Sequence, residues 1–208
     1  MKRAAKLGAL GAVGVIAAAA WWRRNPSACP YGQRFWVEAP HPFITRERLR
    51  AALEPRAGET LLEVGPGTGY YTLPVARALH PDGTLHVYDV QQEMLDHTMR
   101  SANDAGVANI EPRQGDARQL PYPSATFDAA YLVAVLGEVP DQDAALGELA
   151  RVLKPGGRLV VGELLGDPHM VSLKALRKRD ARAGLTLERR VGPPFGYFGV
   201  LRKPGSRG

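Results

Sequence analysis

The chain has 208 residues, 45% hydrophobic and 23% charged, with a single cysteine, Cys29; this excludes wholesale disorder, a collagen-like repeat, a multi-span membrane protein, a disulfide framework and a cysteine-based zinc cluster. The net charge is +6, but residues 1–24 carry five cations and no anion, residues 25–170 carry 12 cations and 19 anions, and residues 171–208 carry 10 cations and 2 anions. An acidic body between two basic ends fits an anionic membrane surface at least as well as nucleic acid, and nucleic acid is the weaker expectation.

Residues 7–22 form an uncharged run of 16, rich in Ala and Gly, closed by Trp21 and Trp22 and bracketed by Lys6 and Arg23. As a helix this run reaches roughly 24 Å, short of the ~30 Å hydrocarbon core of a bilayer. Three readings stay open for residues 1–24: an uncleaved N-terminal membrane anchor, a cleaved signal-like segment with small residues at Ala18, Ala19 and Ala20, or an apolar helix lying on a surface. Residues 25–44 read as a linker, and their aromatic residues Tyr31, Phe35, Trp36 and Phe43 either pack on the body or form a lid over an apolar ligand.

From there strand and helix alternate. Thr45 caps a helix to about residue 53. Residues 60–64 are a short apolar strand, followed by a glycine-rich turn and a helix over 71–79. Residues 84–89 are a second strand with a helix over 93–103, and 110–114 a third strand. Residues 127–135 are almost wholly apolar, as a strand buried on both faces should be. A helix over 143–153 is stopped by Lys154-Pro155-Gly156-Gly157, and 158–163 is a fifth strand. Asp167 and Pro168 open a basic helix ended by Gly184. Residues 186–191 and 197–202 pair as an antiparallel hairpin. The pattern predicts a Rossmann-like α/β fold with a mostly parallel sheet and an antiparallel C-terminal hairpin, its ligand at the carboxyl ends of the strands.

The sharpest motif is Leu61-Leu62-Glu63-Val64-Gly65-Pro66-Gly67-Thr68-Gly69-Tyr70, between a strand and a helix. Glycines there let the backbone approach a ligand closely. A dinucleotide fingerprint needs glycine where Tyr70 stands; the pattern present is E-x-G-x-G-x-G, and an acid at the strand end suits a cationic ligand better than a pyrophosphate. Asp89 ends the second strand, where a carboxylate can accept both hydroxyls of a ribose or cap the next helix. Gly115-Asp116-Ala117 follows the third strand, where an acid can accept from an adenine amino group or simply serve a turn.

LLEVGPGTGYYT, HVYD, GDARQLPYPSATFDAAY and ELARVLKPGGRLVV, in that order, resemble the class I S-adenosylmethionine-dependent methyltransferases over residues 45–203, and are most similar to the small-molecule type of ubiquinone and menaquinone biosynthesis. The resemblance implies a seven-stranded sheet, the cofactor S-adenosyl-L-methionine, and a small-molecule or lipidic acceptor. It places Glu63, Gly65, Gly67 and Gly69 around the amino-acid part of the cofactor, Asp89 on the ribose with Val90 beside the adenine, Asp116 on the adenine amino group with Ala117 packed nearby, and Val133 near the methionine moiety. Many relatives carry L-H-H-x-x-D after the fourth strand; this chain has Leu136-Gly137-Glu138-Val139-Pro140-Asp141.

Methyl transfer from a sulfonium is an in-line displacement, which needs alignment and exclusion of water more than acid–base chemistry. No residue stands out as the base: His41, Glu138 and His169 are candidates by position only, and no metal is expected. The alternatives are a nucleic-acid or protein methyltransferase, disfavoured by the acidic body and by the absence of an N-P-P-Y-type tetrad, and a non-catalytic cofactor-binding domain. Residues 204–208 are a tail. S-adenosylmethionine is made in the cytosol, so the expected location is membrane-associated through residues 1–24, with the catalytic domain facing the cytoplasm.

Overall fold

The computed structural model describes residues 26–35 and 42–205. The apolar run at residues 7–22 lies outside them, as do Trp36 and His41; among the described residues no helix is long and apolar enough to cross a membrane.

Seven strands form one sheet. In chain order the elements are α1 (Arg46–Leu53), β1 (Thr60–Val64), α2 (Thr72–Ala78), β2 (Thr84–Asp89), α3 (Gln92–Asp104), β3 (Ile110–Gln114), β4 (Phe127–Val133), α4 (Gln142–Val152), β5 (Leu153–Leu164), α5 (Leu173–Asp180), β6 (Thr186–Val191) and β7 (Gly196–Arg202). The sheet order is β3-β2-β1-β4-β5-β7-β6. The pairs from β3 across to β5 are parallel, whereas β7 runs antiparallel to both β5 and β6. The order reverses between β1 and β4, and the loops after β1, β2, β4 and β5 therefore converge on one edge, where ligands of such sheets bind.

Two apolar cores lie on the two faces. Leu61, Val87, Ala129, Tyr131, Val160 and Phe198 face α1, α2 and α3, while Leu62, Tyr88, Ala130, Leu132, Leu159, Val161 and Tyr197 face α4 and α5. β4 contributes to both cores, which is why its sequence shows no polar alternation. Helix starts follow local chemistry: the Thr45 hydroxyl accepts from Arg48 N (3.3 Å), and the Asp141 carboxylate accepts from Ala144 N (3.0 Å).

Three expectations need correction. The β4 strand ends at Val133, because Ala134 turns left-handed at φ 56°. Residues 154–157 do not separate helix from strand. They bulge out of β5, since Leu153 pairs with Phe127 and Arg158 already with Ala129. Asp167 and Pro168 do not open the basic helix: Asp167 Oδ1 accepts only from His169 N (2.7 Å), and α5 starts at Leu173 with the Ser172 hydroxyl as its cap. The intervening loop is held off the helical path by Val171, whose N–H donates to Glu163 Oε2 (2.9 Å) and whose carbonyl accepts from the Tyr197 hydroxyl (2.7 Å). Of the basic residues of that region, Arg179 and Arg182 are spent on Asp143 of α4.

Candidate cofactor site

The turn after β1 is built from glycines that no other residue replaces without strain. Gly65, Gly67 and Gly69 all have positive φ (71°, 58° and 86°), a region that side chains penalise. Gly65 is constrained twice, because a Cβ there would also run into the Val135 side chain on the loop after β4. The turn is pinned on both sides: Gly65 N donates to Tyr88 O (2.8 Å), and the Thr98 hydroxyl of α3 donates to Gly67 O (2.9 Å).

Beneath this turn lies Glu63, 2% exposed, in register with Val87 of β2 and Tyr131 of β4. Burial pushes its carboxyl up to about 7; the neighbouring Thr72 and Tyr131 hydroxyls pull it down, and the Asp89 charge adds to the rise. Glu63 Oε2, Thr72 Oγ1 and Tyr131 Oη nevertheless have no hydrogen-bond partner of ordinary geometry. A buried carboxylate oxygen left unpaired is costly, and a cation or N–H donor placed in the turn would relieve that cost.

Asp89 closes β2, 8% exposed. Its Oδ1 accepts from Gln91 N (2.9 Å), so it shapes the turn into α3, while Gln91 takes the capping position itself. Burial raises its carboxyl to about 6, against the opposing pull of the Gln91 and Val90 amides. Val90 is exposed, with its carbonyl accepting from Gln114 Nε2 (3.0 Å).

The remaining expected residues are distributed as follows. Val133 is half-buried at the end of β4 and packs on the core that includes Tyr131. Ala117 packs on the opposite core. Asp116 is half-exposed, and both of its oxygens receive Arg118 Nε (3.0 and 2.9 Å), which holds the carboxyl below its ordinary range. A ligand amino group at Asp116 would have to share those oxygens with Arg118.

Of the base candidates, Glu138 lies in the short 3-10 turn Leu136–Glu138 after β4. Burial, and then the charges of Asp167 and Asp89, raise its carboxyl to about 8. That turn packs on the loop after β5 so closely that a methyl group at Gly137 would overlap the His169 carbonyl. Two residues at this edge are absent from the sequence reading. Glu163, at the end of β5, is fully buried, with Oε1 unpartnered and its carboxyl raised by burial. An acid inside an apolar strand was the available signal. The other is Gln91, whose side chain contacts residues 29–31; nothing local in the sequence marks it.

Phe43 does not cover the turn: it packs edge-on against Phe195 of the β6–β7 loop (4.8 Å between ring centres, 90°).

The glycine turn over a buried unpaired acid, with a second acid on the next strand, suits a ligand that is cationic near Glu63 and carries hydroxyls near Asp89. S-adenosyl-L-methionine has an ammonium and a sulfonium beside a ribose diol, and the residues present fit it. Residues 61–157 match the family described as a methyltransferase domain. The chain is 38% identical over 121 residues to a ubiquinone/menaquinone biosynthesis C-methyltransferase, UbiE, of Saccharophagus degradans, covering 58% of this chain and 49% of that protein. It is 37% identical over 121 residues to the UbiE of Hahella chejuensis, with the same shares. The chain thus spans about half the length of the curated relatives it matches. Among solved structures, a SAM-dependent methyltransferase from Aquifex aeolicus superposes with a TM-score of 0.75 at 22% identity, covering 84% of this chain and 98% of that one. The [4+2]-cyclase SpnF superposes with a TM-score of 0.68 at 23% identity, covering 77% and 80%. These two likenesses establish the fold.

Proposed function

We propose, for a chain whose residues 61–157 are a methyltransferase domain of the S-adenosylmethionine-dependent class, that it moves a methyl group from S-adenosyl-L-methionine to a small lipophilic acceptor. The observation that carries the cofactor half of this reading is the buried Glu63 carboxyl under the glycine turn, its Oε2 without a partner, one strand away from Asp89. The sulfonium supplies an electrophilic methyl when bound. The chain's own part is to hold and orient: Glu63 offsets positive charge, Asp89 accepts from the ribose hydroxyls, and residues 65–69 admit the ligand against the backbone.

The acceptor half rests on a different feature. The large hydrophobic side chains exposed among the described residues are Phe35, Phe43, Val90, Leu165 and Phe195; Val90 and Leu165 follow β2 and β5 at the carboxyl edge of the sheet, and Phe195 lies at the same edge before β7 with Phe43 packed on it. Leu165 N donates to Phe195 O (2.7 Å), which joins two of those loops beside the Phe43–Phe195 pair. The apolar exposure of Phe43, Leu165 and Phe195 together, on the same sheet edge as the polar cradle, marks a binding surface for an apolar partner. The names of the curated relatives, C-methyltransferases of quinone biosynthesis, point the same way.

The experiment is incubation of the purified chain with methyl-labelled cofactor and fractionated cell extract. Label entering the lipid-soluble fraction, with S-adenosylhomocysteine released in equal amount, supports the reading; label confined to protein or nucleic acid overturns the acceptor class. Cofactor affinity is tested separately. Asp89→Ala should weaken S-adenosylhomocysteine binding by about 1–3 kcal/mol, the usual worth of a hydrogen bond to a charged group. An unchanged dissociation constant by calorimetry removes Asp89 from the site.

A further inference from the structure

The polypeptide at residues 29–31 is fastened to two different strand-end loops. The Gln91 carboxamide behaves like one rung of a β-ladder: its Nε2 donates to Cys29 O (2.9 Å) and its Oε1 accepts from Tyr31 N (3.2 Å). On the other side, Cys29 N donates to Glu138 Oε2 (3.3 Å). A further contact joins the Tyr31 hydroxyl and His97 Nδ1 of α3 (3.3 Å), the rings standing edge-on at 6.1 Å. Gln91 follows β2 and Glu138 follows β4, and in the sheet β1 lies between those two strands. A segment held at once by Gln91 and Glu138 therefore crosses the carboxyl end of β1, where residues 65–69 form the turn over Glu63. The attachment is also coupled to the ribose acid, because Gln91, whose side chain grips the segment, donates its main-chain N–H to Asp89.

We propose that residues 29–31 are a latched roof over the cofactor cradle, with Gln91 and Glu138 as positioning residues that hold it shut across the β1 turn. The inference rests on the cofactor reading of that turn and adds a consequence to it: cofactor and product pass only when the latch opens. Gln91 then governs how fast ligand enters and leaves, whereas Asp89 and Glu63 govern how tightly it is held.

The chain's single cysteine lies half-buried in the roof, so a change in its alkylation rate reports opening. The experiment uses the full chain, iodoacetamide at fixed pH, and S-adenosylhomocysteine as the ligand. Removing both Gln91 side-chain hydrogen bonds in Gln91→Ala should raise the alkylation rate of Cys29 in the ligand-free protein about tenfold. In the wild type, saturating S-adenosylhomocysteine should slow alkylation. In Gln91→Ala its association and dissociation rates should both rise, with a smaller change in the dissociation constant. Gln91→Met keeps the side-chain length without either hydrogen bond and adds no charge beside the Cys29 carbonyl. It should behave as Gln91→Ala does, and it guards against misfolding of the alanine variant.

Ligand-free alkylation that is unchanged in both variants overturns the latch. Alkylation that ignores bound S-adenosylhomocysteine, with binding confirmed by calorimetry, overturns the placement of the roof above the cradle. Wild-type protein that binds no S-adenosylhomocysteine at all overturns the cofactor reading first and the roof with it, and calorimetry alone distinguishes this result from the other two.

Discussion

Glu63→Gln should make the ligand-free protein more stable while removing most of its affinity for the cofactor. Unfolded, this carboxyl ionises near 4.5; folded, burial moves it to about 7. Between those values the folded chain holds the extra proton, so raising the pH across the window takes stability away, and the loss is complete above about 7. At roughly 1.4 kcal/mol per pKa unit the buried charge costs the folded state about 3 kcal/mol at pH 8 and nothing at pH 4. A neutral glutamine of the same shape relieves that cost, which for a protein of this size should raise the melting temperature by several degrees at pH 8 and leave it unchanged at pH 4. Calorimetric titration supplies the second measurement: near pH 6 wild-type protein should release more proton on binding S-adenosylhomocysteine than the variant, in which Asp89, with its carboxyl at about 6, is the acid of the pair that is left to titrate. A variant that is no more stable at pH 8 than at pH 4, relative to wild type, would show that Glu63 is already satisfied in the fold.

Arg158→Met should have the opposite profile, a large loss of stability with cofactor affinity intact. Arg158 is 8% exposed and pairs with both oxygens of Glu59 (2.8 and 2.6 Å). It also donates to Glu54 O (3.0 Å) and to Leu53 O, tying the end of α1 to the start of β5. Removing the guanidinium takes the counter-charge from a largely buried carboxylate, which keeps only the Arg56 N–H (2.9 Å), and the donor from two carbonyls; this costs about 3–5 kcal/mol, or roughly 6–20 °C of melting temperature. The cluster lies at the amino edge of the sheet, opposite the cradle, so the dissociation constant of the folded fraction should not move. Replacing both partners, Arg158→Met with Glu59→Leu, should recover much of the loss, because a pair removed together leaves no orphaned charge. Melting curves of the two single variants and the double variant decide this; a double variant no better than Arg158→Met would put the effect in packing and not in charge.

Sequence alone carried the sheet well because its signals are local. The strands read at 60–64, 84–89 and 110–114 became β1, β2 and β3 without adjustment, and the hairpin at the end followed from the short turn-rich connection at 192–196 between two strands. It failed where a distant group outcompetes a local cue. Asp167-Pro168 has the composition of a helix start, but Glu163 and Tyr197 pull Val171 into an extended path. Lys154-Pro155-Gly156-Gly157 has the composition of a stop, but β4 pairs with β5 before and after it, and β7 joins from Arg158 on. The same division holds at the site. Glu63, the three glycines and Asp89 were legible because the chemistry and the strand end coincide in sequence. Gln91 and Glu163 were not, since the first acts through contacts 60 and 62 positions away and the second through burial, which only the assembled sheet creates.

The contacts that fix residues 29–31 span far more chain than those that shape the cradle. Cys29 reaches Glu138 across 109 positions, whereas the Thr98 hydroxyl closes on Gly67 across 31. Long closures lose more chain entropy and wait on elements that must already be in place. The glycine turn, held by β1, β2 and α3, closes the shorter loops. The segment at 29–31 is fastened by a few long closures to side chains, and its amide protons should exchange with solvent long before those of the central strands.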